Sequence, residues 1–231
     1  CVISIDYFSD ILCVWAYGGQ IRLDELTRNF GGDVRIRHRF IPLFADTRAR
    51  IGEGWKEQGG FAGFGSHMQE VCGQWPHTRL NARAWTECRP LTCVTAHVFL
   101  KAVELCLVAD APADRPGDEV CQRYSLLIDR TRAAFFEQAQ DISQLPVLLA
   151  LLGDDLIGRD AVIARIDSGE AYAALYHDEQ LAKGYAVQGS PTYVFNEGRQ
   201  LLYGNVGYRI IESNVRELLS ARQVEGAPSW C

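Results

Sequence analysis

The sequence predicts an α/β protein in which one sheet is assembled from both ends of the chain around an all-helical insertion. Three observations lead there. Strand patterns occur before Ala45 and return after Gly184, while the stretch between carries only helical spacing. The opening strand, helix and second strand form a βαβ unit with a short crossover, so the first two strands pair in parallel. The closing pair of strands is joined by a tight turn and is followed by one closing helix. The boundaries that follow are 1–44 and 185–231 for the sheet domain and 45–184 for the insertion.

Taken in order, Val2, Ile3, Ile5, Tyr7 and Phe8 read as a mostly buried strand within Cys1 to Phe8. A helix over about Cys13 to Asn29 places Trp15, Leu23, Leu26 and Phe30 at helical spacing and stops at Gly31-Gly32. Val34 to Leu43 alternates, with Val34, Ile36, His38 and Phe40 against Arg35, Arg37, Arg39 and Ile41. The six glycines of Gly52 to Ser66 predict a mobile or irregular connection. Long helices are expected over Leu91 to Val108 and Glu119 to Gln138, with Pro112 and Pro116 breaking between them. Pro146 suits the first turn of another helix ending near Gly153, and shorter helices cover Asp160 to Ile166 and Ala171 to Lys183. Thr192 to Phe195 and Gln200 to Tyr203 are short strands joined by Asn196-Glu197-Gly198, and a last helix spans about Ile210 to Arg222.

Composition narrows the function. With 231 residues, 48% hydrophobic and 23% charged, the chain can bury a sizeable core and is neither disordered nor fibrous. The longest stretch without Asp, Glu, Lys or Arg, Gly184 to Asn196, falls short of the roughly 18 apolar residues a membrane span needs. A net charge of -6 offers no general attraction to nucleic acid or anionic lipid, so neither is an expected partner. Eight cysteines without a framework pattern read as mostly reduced thiols, and no secretory leader pattern opens the sequence, which points to a cytoplasmic protein.

The chemistry concentrates in Phe8-Ser9-Asp10-Ile11-Leu12-Cys13-Val14-Trp15-Ala16. Cys13 stands where strand gives way to helix, and there unpaired N–H groups and the helix dipole favour a thiolate of lowered pKa. Together with Val187-Gln188-Gly189-Ser190-Pro191-Thr192-Tyr193-Val194-Phe195, this stretch resembles the two signatures of the DsbA-like branch of the thioredoxin superfamily. In that branch the first motif usually reads F-S-D-x-x-C-P-W-C, and the second carries a cis-proline beside the active-site cysteine. The resemblance implies a thioredoxin-like fold with an inserted all-helical domain. It also implies Cys13 as the attacking thiol and Pro191, preceded by Ser190, as the cis-proline. Trp15 and Tyr17, next to the cysteine, are candidates to flank a substrate groove.

Two departures shape the expectation. Ala16 occupies the position of the resolving cysteine and Val14 that of the usual proline, so no internal Cys-x-x-Cys disulfide can form. A mixed disulfide at Cys13 would then be resolved from outside the motif, by glutathione as co-substrate, another thiol, or a distant cysteine. The expected activity is a thiol-disulfide oxidoreductase or isomerase working through one cysteine, with thiols and disulfides as partners, no tightly bound cofactor, and a homodimer allowed. The sister branch of kappa-class glutathione transferases and 2-hydroxychromene-2-carboxylate isomerases is similar in architecture but places a serine near the Cys13 position. It implies the alternative of a glutathione-dependent enzyme acting on a small hydrophobic molecule. A third reading is a binding protein that keeps the fold without turnover.

The remaining candidates are weaker. His67, Cys72, His77, Cys88, Cys93 and His97 gather in the insertion, and Cys93 and His97 share a helix face, but their spacing is poor for zinc and no metal site is assigned. Trp55, Phe61, Phe64, Trp75 and Trp85 surround the glycine-rich stretch as either an apolar lid over Cys13 or a satellite core.

Overall fold

A computed structural model describes residues 2–109, 118–153 and 157–220. Strand β1 (Ile3–Ser9), helix α1 (Val14–Phe30) and strand β2 (Val34–Phe40) form the βαβ unit, with β1 and β2 parallel from Ile3 opposite Val34 to Ser9 opposite Phe40. Strand β3 (Thr192–Phe195) runs antiparallel to β1, and β4 (Gln200–Tyr203) antiparallel to β3, giving the order β2-β1-β3-β4. Among the described residues this is one mixed sheet of four strands.

Alternation along the strands decides what each face buries. Ile3, Ile5 and Tyr7 of β1, with Tyr193 and Phe195 of β3, pack against Leu23, Leu26 and Phe30 of α1 and Ile211, Val215 and Leu218 of α8 (Tyr208–Ser220). Each such side chain, fully buried, contributes on the order of 1.5–3 kcal/mol. Phe8 and Val194 point the other way and meet Ala182 of α7 (Glu170–Gly184). On that same side runs an ionic chain whose carboxylates are buried. Asp6 accepts from Arg37 at 2.7 Å and from Arg39 at 2.8 Å, Arg39 reaches Asp178 of α7 at 3.0 Å, and Asp178 meets Lys101 at 3.0 Å.

Lys101 belongs to α3 (Val94–Ala109), which with α2 (Gly60–Gly73), α4 (Asp118–Phe136), α5 (Leu145–Ala150), α6 (Arg159–Asp167) and α7 makes up the chain between β2 and β3. These helices build the largest core, around Trp85, Phe99, Phe135 and Phe136. The glycine-rich stretch differs from expectation. It is ordered as a π-helical turn (Arg48–Glu53), a 3-10 turn (Lys56–Gln58) and α2. Its glycines serve close approach: a Cβ on Gly63 would lie 1.7 Å from the Gln58 carbonyl oxygen, and one on Gly54 2.4 Å from that of Arg50. Gly59 and Gly60 take positive φ, which glycine alone adopts freely. The expected breaks at Pro112 and Pro116 lie outside the described residues.

Candidate active site

Between β1 and α1 the chain makes a short loop, Asp10 to Leu12, whose backbone donors all find side-chain acceptors. Leu12 N–H donates to Asp10 Oδ1 at 2.8 Å, and Ile11 N–H donates to His97 Nε2, on α3, at 3.0 Å. Asp10 Oδ2 accepts the Phe44 N–H at 2.9 Å, and Asp10 N–H donates to Ser190 Oγ at 3.0 Å. Asp10 and His97 are both fully buried. Because His97 Nε2 accepts, the ring is neutral and carries its proton on Nδ1, and burial indeed holds its pKa below the ordinary histidine value. Cys93 completes this group: its thiol, pushed far up by burial and then by Asp10, donates to the Asp10 carboxylate. Asp10, Cys93 and His97 present their ligand atoms within 4.8 Å of one another, although Cys93 stands just before α3 rather than on a helix face shared with His97. The work of this group is to pin the loop.

The loop delivers Cys13 to the N-cap of α1 in an extended conformation (φ -80, ψ 114), with Tyr17 N–H on its carbonyl at 3.0 Å. The Ser190-Pro191 bond is cis, and the Ser190 carbonyl accepts from Cys13 Sγ at 3.4 Å. Ser190 thus holds the loop with its hydroxyl and the sulfur with its carbonyl. Ala16, one turn into α1, is fully buried. No disulfide links Cys13, Cys72, Cys88 or Cys93.

Cys13 is only 6% exposed and opens on a cavity of about 620 Å³. Leu43, Phe44, Trp55, Phe64 and Met68 make its apolar wall; Gln188, Gly189, Ser190 and Tyr203 make the opposite rim. Trp15, 39% exposed, stands at the edge with its ring against Trp75 at 5.3 Å. The aromatic residues around the glycine-rich stretch therefore divide: Trp55 and Phe64 face the cavity, whereas Trp85 is core.

Two expectations need correction. The Cys13 thiol is not acidified; burial pushes it up, and bonds with the Ser190 side chain and with the Ala16 and Trp15 backbones pull it back only in part, while the Asp10 charge adds to the rise. Desolvation outweighs the helix start. Tyr17 does not line the cavity: its ring stacks on Phe136 at 4.7 Å, and its hydroxyl donates to Glu137 Oε1 at 2.9 Å and accepts the Arg79 N–H at 3.2 Å. Pro191 is buried beneath the rim that Ser190 forms. Arg50 also lines the cavity, with its guanidinium 4.8 Å over the Phe44 ring, and no sequence signal singles it out. Asp10 stood within the first motif, and its burial was the missing clue.

Comparisons with known proteins accord with this geometry. The sequence profile of the DSBA-like thioredoxin domain matches residues 4–216. No curated protein matches the chain by sequence. Among solved structures, a probable DsbA oxidoreductase from Streptomyces coelicolor superposes with a TM-score of 0.68 at 17% identity, covering 99% of this chain and 93% of that one. The cytosolic disulfide reductase DsbM from Pseudomonas aeruginosa, solved with GSH, gives 0.60 at 18% identity, covering 95% and 98%. A 2-hydroxychromene-2-carboxylate isomerase gives 0.59 at 15%, covering 97% and 100%. At such identities the likeness establishes the fold, a thioredoxin-like sheet with added helices.

Proposed function

The chain belongs to the DSBA-like thioredoxin domain family, and on that basis we propose that it is a thiol-disulfide oxidoreductase or isomerase in which Cys13 is the single reacting sulfur. One observation carries the reading: the Cys13 sulfur meets the cavity at a helix start beside the Ser190 carbonyl, while the next turn offers Ala16 in place of a second thiol. After losing its proton, Cys13 attacks one sulfur of a small disulfide such as oxidised glutathione. A Cys13–glutathione bond forms, the original S–S bond breaks, and the departing thiolate takes up a proton. A second external thiol then attacks the mixed disulfide and restores Cys13. No tightly bound cofactor is required. The insertion, 45–184, supplies Trp55, Phe64 and Met68 of the apolar wall. Buried thiols such as Cys72 and Cys93 suit a reducing compartment, which favours the cytoplasm.

Incubation with oxidised glutathione, followed by peptide mass spectrometry, tests the reading. One glutathione should appear on the Cys13 peptide and vanish in Cys13→Ser; absence of that adduct at pH 7 to 9 overturns it. The raised thiol and the apolar cavity favour one second reading, a glutathione-dependent isomerase or transferase in which the ligand's thiol reacts and Cys13 only supports it. Reversible glutathione binding without an adduct would select that reading.

A further inference from the structure

We propose that Arg50 makes the Cys13 cavity selective for anions, so that the small thiol or disulfide it admits carries a carboxylate on an apolar body. The reacting sulfur is taken from the function proposed above; the charge preference is new.

Among the described residues, no aspartate or glutamate lines the cavity, although the chain as a whole carries 29 acidic against 23 basic residues. Other cations near the sheet are committed: Arg37 and Arg39 to Asp6, and Lys101 to Asp178. Arg50 makes no ion pair among the described residues; its guanidinium lies over the Phe44 ring, which leaves its edge donors unengaged. Its backbone is fixed. Arg50 N–H donates to the Asp46 carbonyl at 3.0 Å, and Gly54 packs on the Arg50 carbonyl where no Cβ would fit. Trp55, stacked on His67 at 5.3 Å, and Phe64 and Met68 complete a wall for the apolar part of the ligand. An unpaired guanidinium at the mouth of a low-dielectric recess attracts carboxylates and repels ammonium groups.

Two matched alkylating agents read this out at Cys13, with the site assigned by peptide mass spectrometry: iodoacetate, an anion, and iodoacetamide, its neutral analogue. The ratio of their rates should fall about three- to tenfold in Arg50→Gln, the effect expected of one exposed charge lining the same cavity as the sulfur, and should recover in Arg50→Lys. High salt should shrink the ratio in the parent. In parallel, dithiodiglycolate, bis(2-hydroxyethyl) disulfide and cystamine offer anionic, neutral and cationic disulfides; the parent should take the anionic one fastest and cystamine slowest. An unchanged alkylation ratio in Arg50→Gln, or equal reaction with all three disulfides, overturns the proposal and leaves the exchange chemistry standing. If no disulfide adds while the ratio still depends on Arg50, the exchange chemistry fails and the anion preference stands.

Discussion

Asp10→Asn separates the two jobs of the buried carboxylate and should change stability and reactivity in opposite directions. The side chain is the same size, so no cavity opens. The carboxylate accepts the Leu12 N–H at 2.8 Å on one oxygen and the Phe44 N–H at 2.9 Å on the other, with the Cys93 thiol as a further donor. An asparagine has one acceptor oxygen, so in either orientation its NH2 faces a buried backbone N–H. Losing a hydrogen bond to a charged group costs roughly 1.5–3 kcal/mol, and the stranded donor adds on the order of 1–3. Since the two overlap and removal of a buried charge offsets part of them, a net loss of about 2–4 kcal/mol is expected. Urea unfolding at pH 7.5 measures it. The Asp10 charge also raises the Cys13 thiol, so its removal should move the alkylation profile of Cys13 to lower pH. A stability loss below about 1 kcal/mol, or a Cys13 profile displaced upward, would refute this account of the loop.

Acid should weaken the fold. His38 is lowered to about 3 by burial and then by Arg132 and Lys101, and burial lowers His97 as well, so the unfolded chain takes up these two protons first. The stability they provide is complete above pH 6.5 or so and is lost as pH falls toward 3. Asp129, raised to about 7 chiefly by burial, acts oppositely, because the folded chain protonates it first. Two histidines against one aspartate leave a net loss of roughly 1.4 kcal/mol per pH unit at most between pH 6 and 4. Urea midpoints should therefore fall from pH 7 to 5, and more steeply in Asp129→Asn; constant or rising midpoints contradict the assignment. Separately, Gly63→Ala drives a Cβ to 1.7 Å from a backbone oxygen at the start of α2. It should cost about 3 kcal/mol by the same assay, and a loss near zero would mean the turn before α2 moves freely.

What the sequence made legible was what local chemistry decides. Thr192–Phe195 and Gln200–Tyr203 fall where alternation and the intervening turn put them, and α1 begins one residue after Cys13. The third helix starts at Val94 rather than Leu91, because the Leu91 carbonyl accepts Thr47 N–H and Cys93 N–H bonds back to Phe44. Helix α2 was hidden because glycine reads as a breaker; its close contacts with Gln58 and Thr86 exist only in the folded chain. The same division holds at the site. Cys13, Ser190 and Pro191 announce themselves through short motifs, whereas the meeting of Asp10 with Cys93 and His97 depends on segments dozens of residues apart, and the seating of Arg50 over Phe44 depends on how the turn between them folds. Tyr17 is drawn away from the cavity by Phe136 and Glu137, which nothing local to it reveals.

The ionic chain from Asp6 through Arg39 and Asp178 to Lys101 bears on how the cavity could change shape. Sliding α3 or α7 over the sheet would separate buried charges, at about 3–5 kcal/mol for each partner lost. The wall from Arg48 to Gly73 carries no buried ion pair among the described residues; apolar contacts, backbone bonds and a few side-chain bonds such as Gln69 Nε2 to the Asn81 carbonyl hold it. The two sides are thus unequal in stiffness. Bulkier or slimmer ligands would be accommodated by shifts of Trp55, Phe64 and Met68, while the Ser190 rim stays put against the sulfur. Redesign of ligand size is accordingly a matter of those three side chains, and leaves the distance between the Cys13 sulfur and the rim untouched.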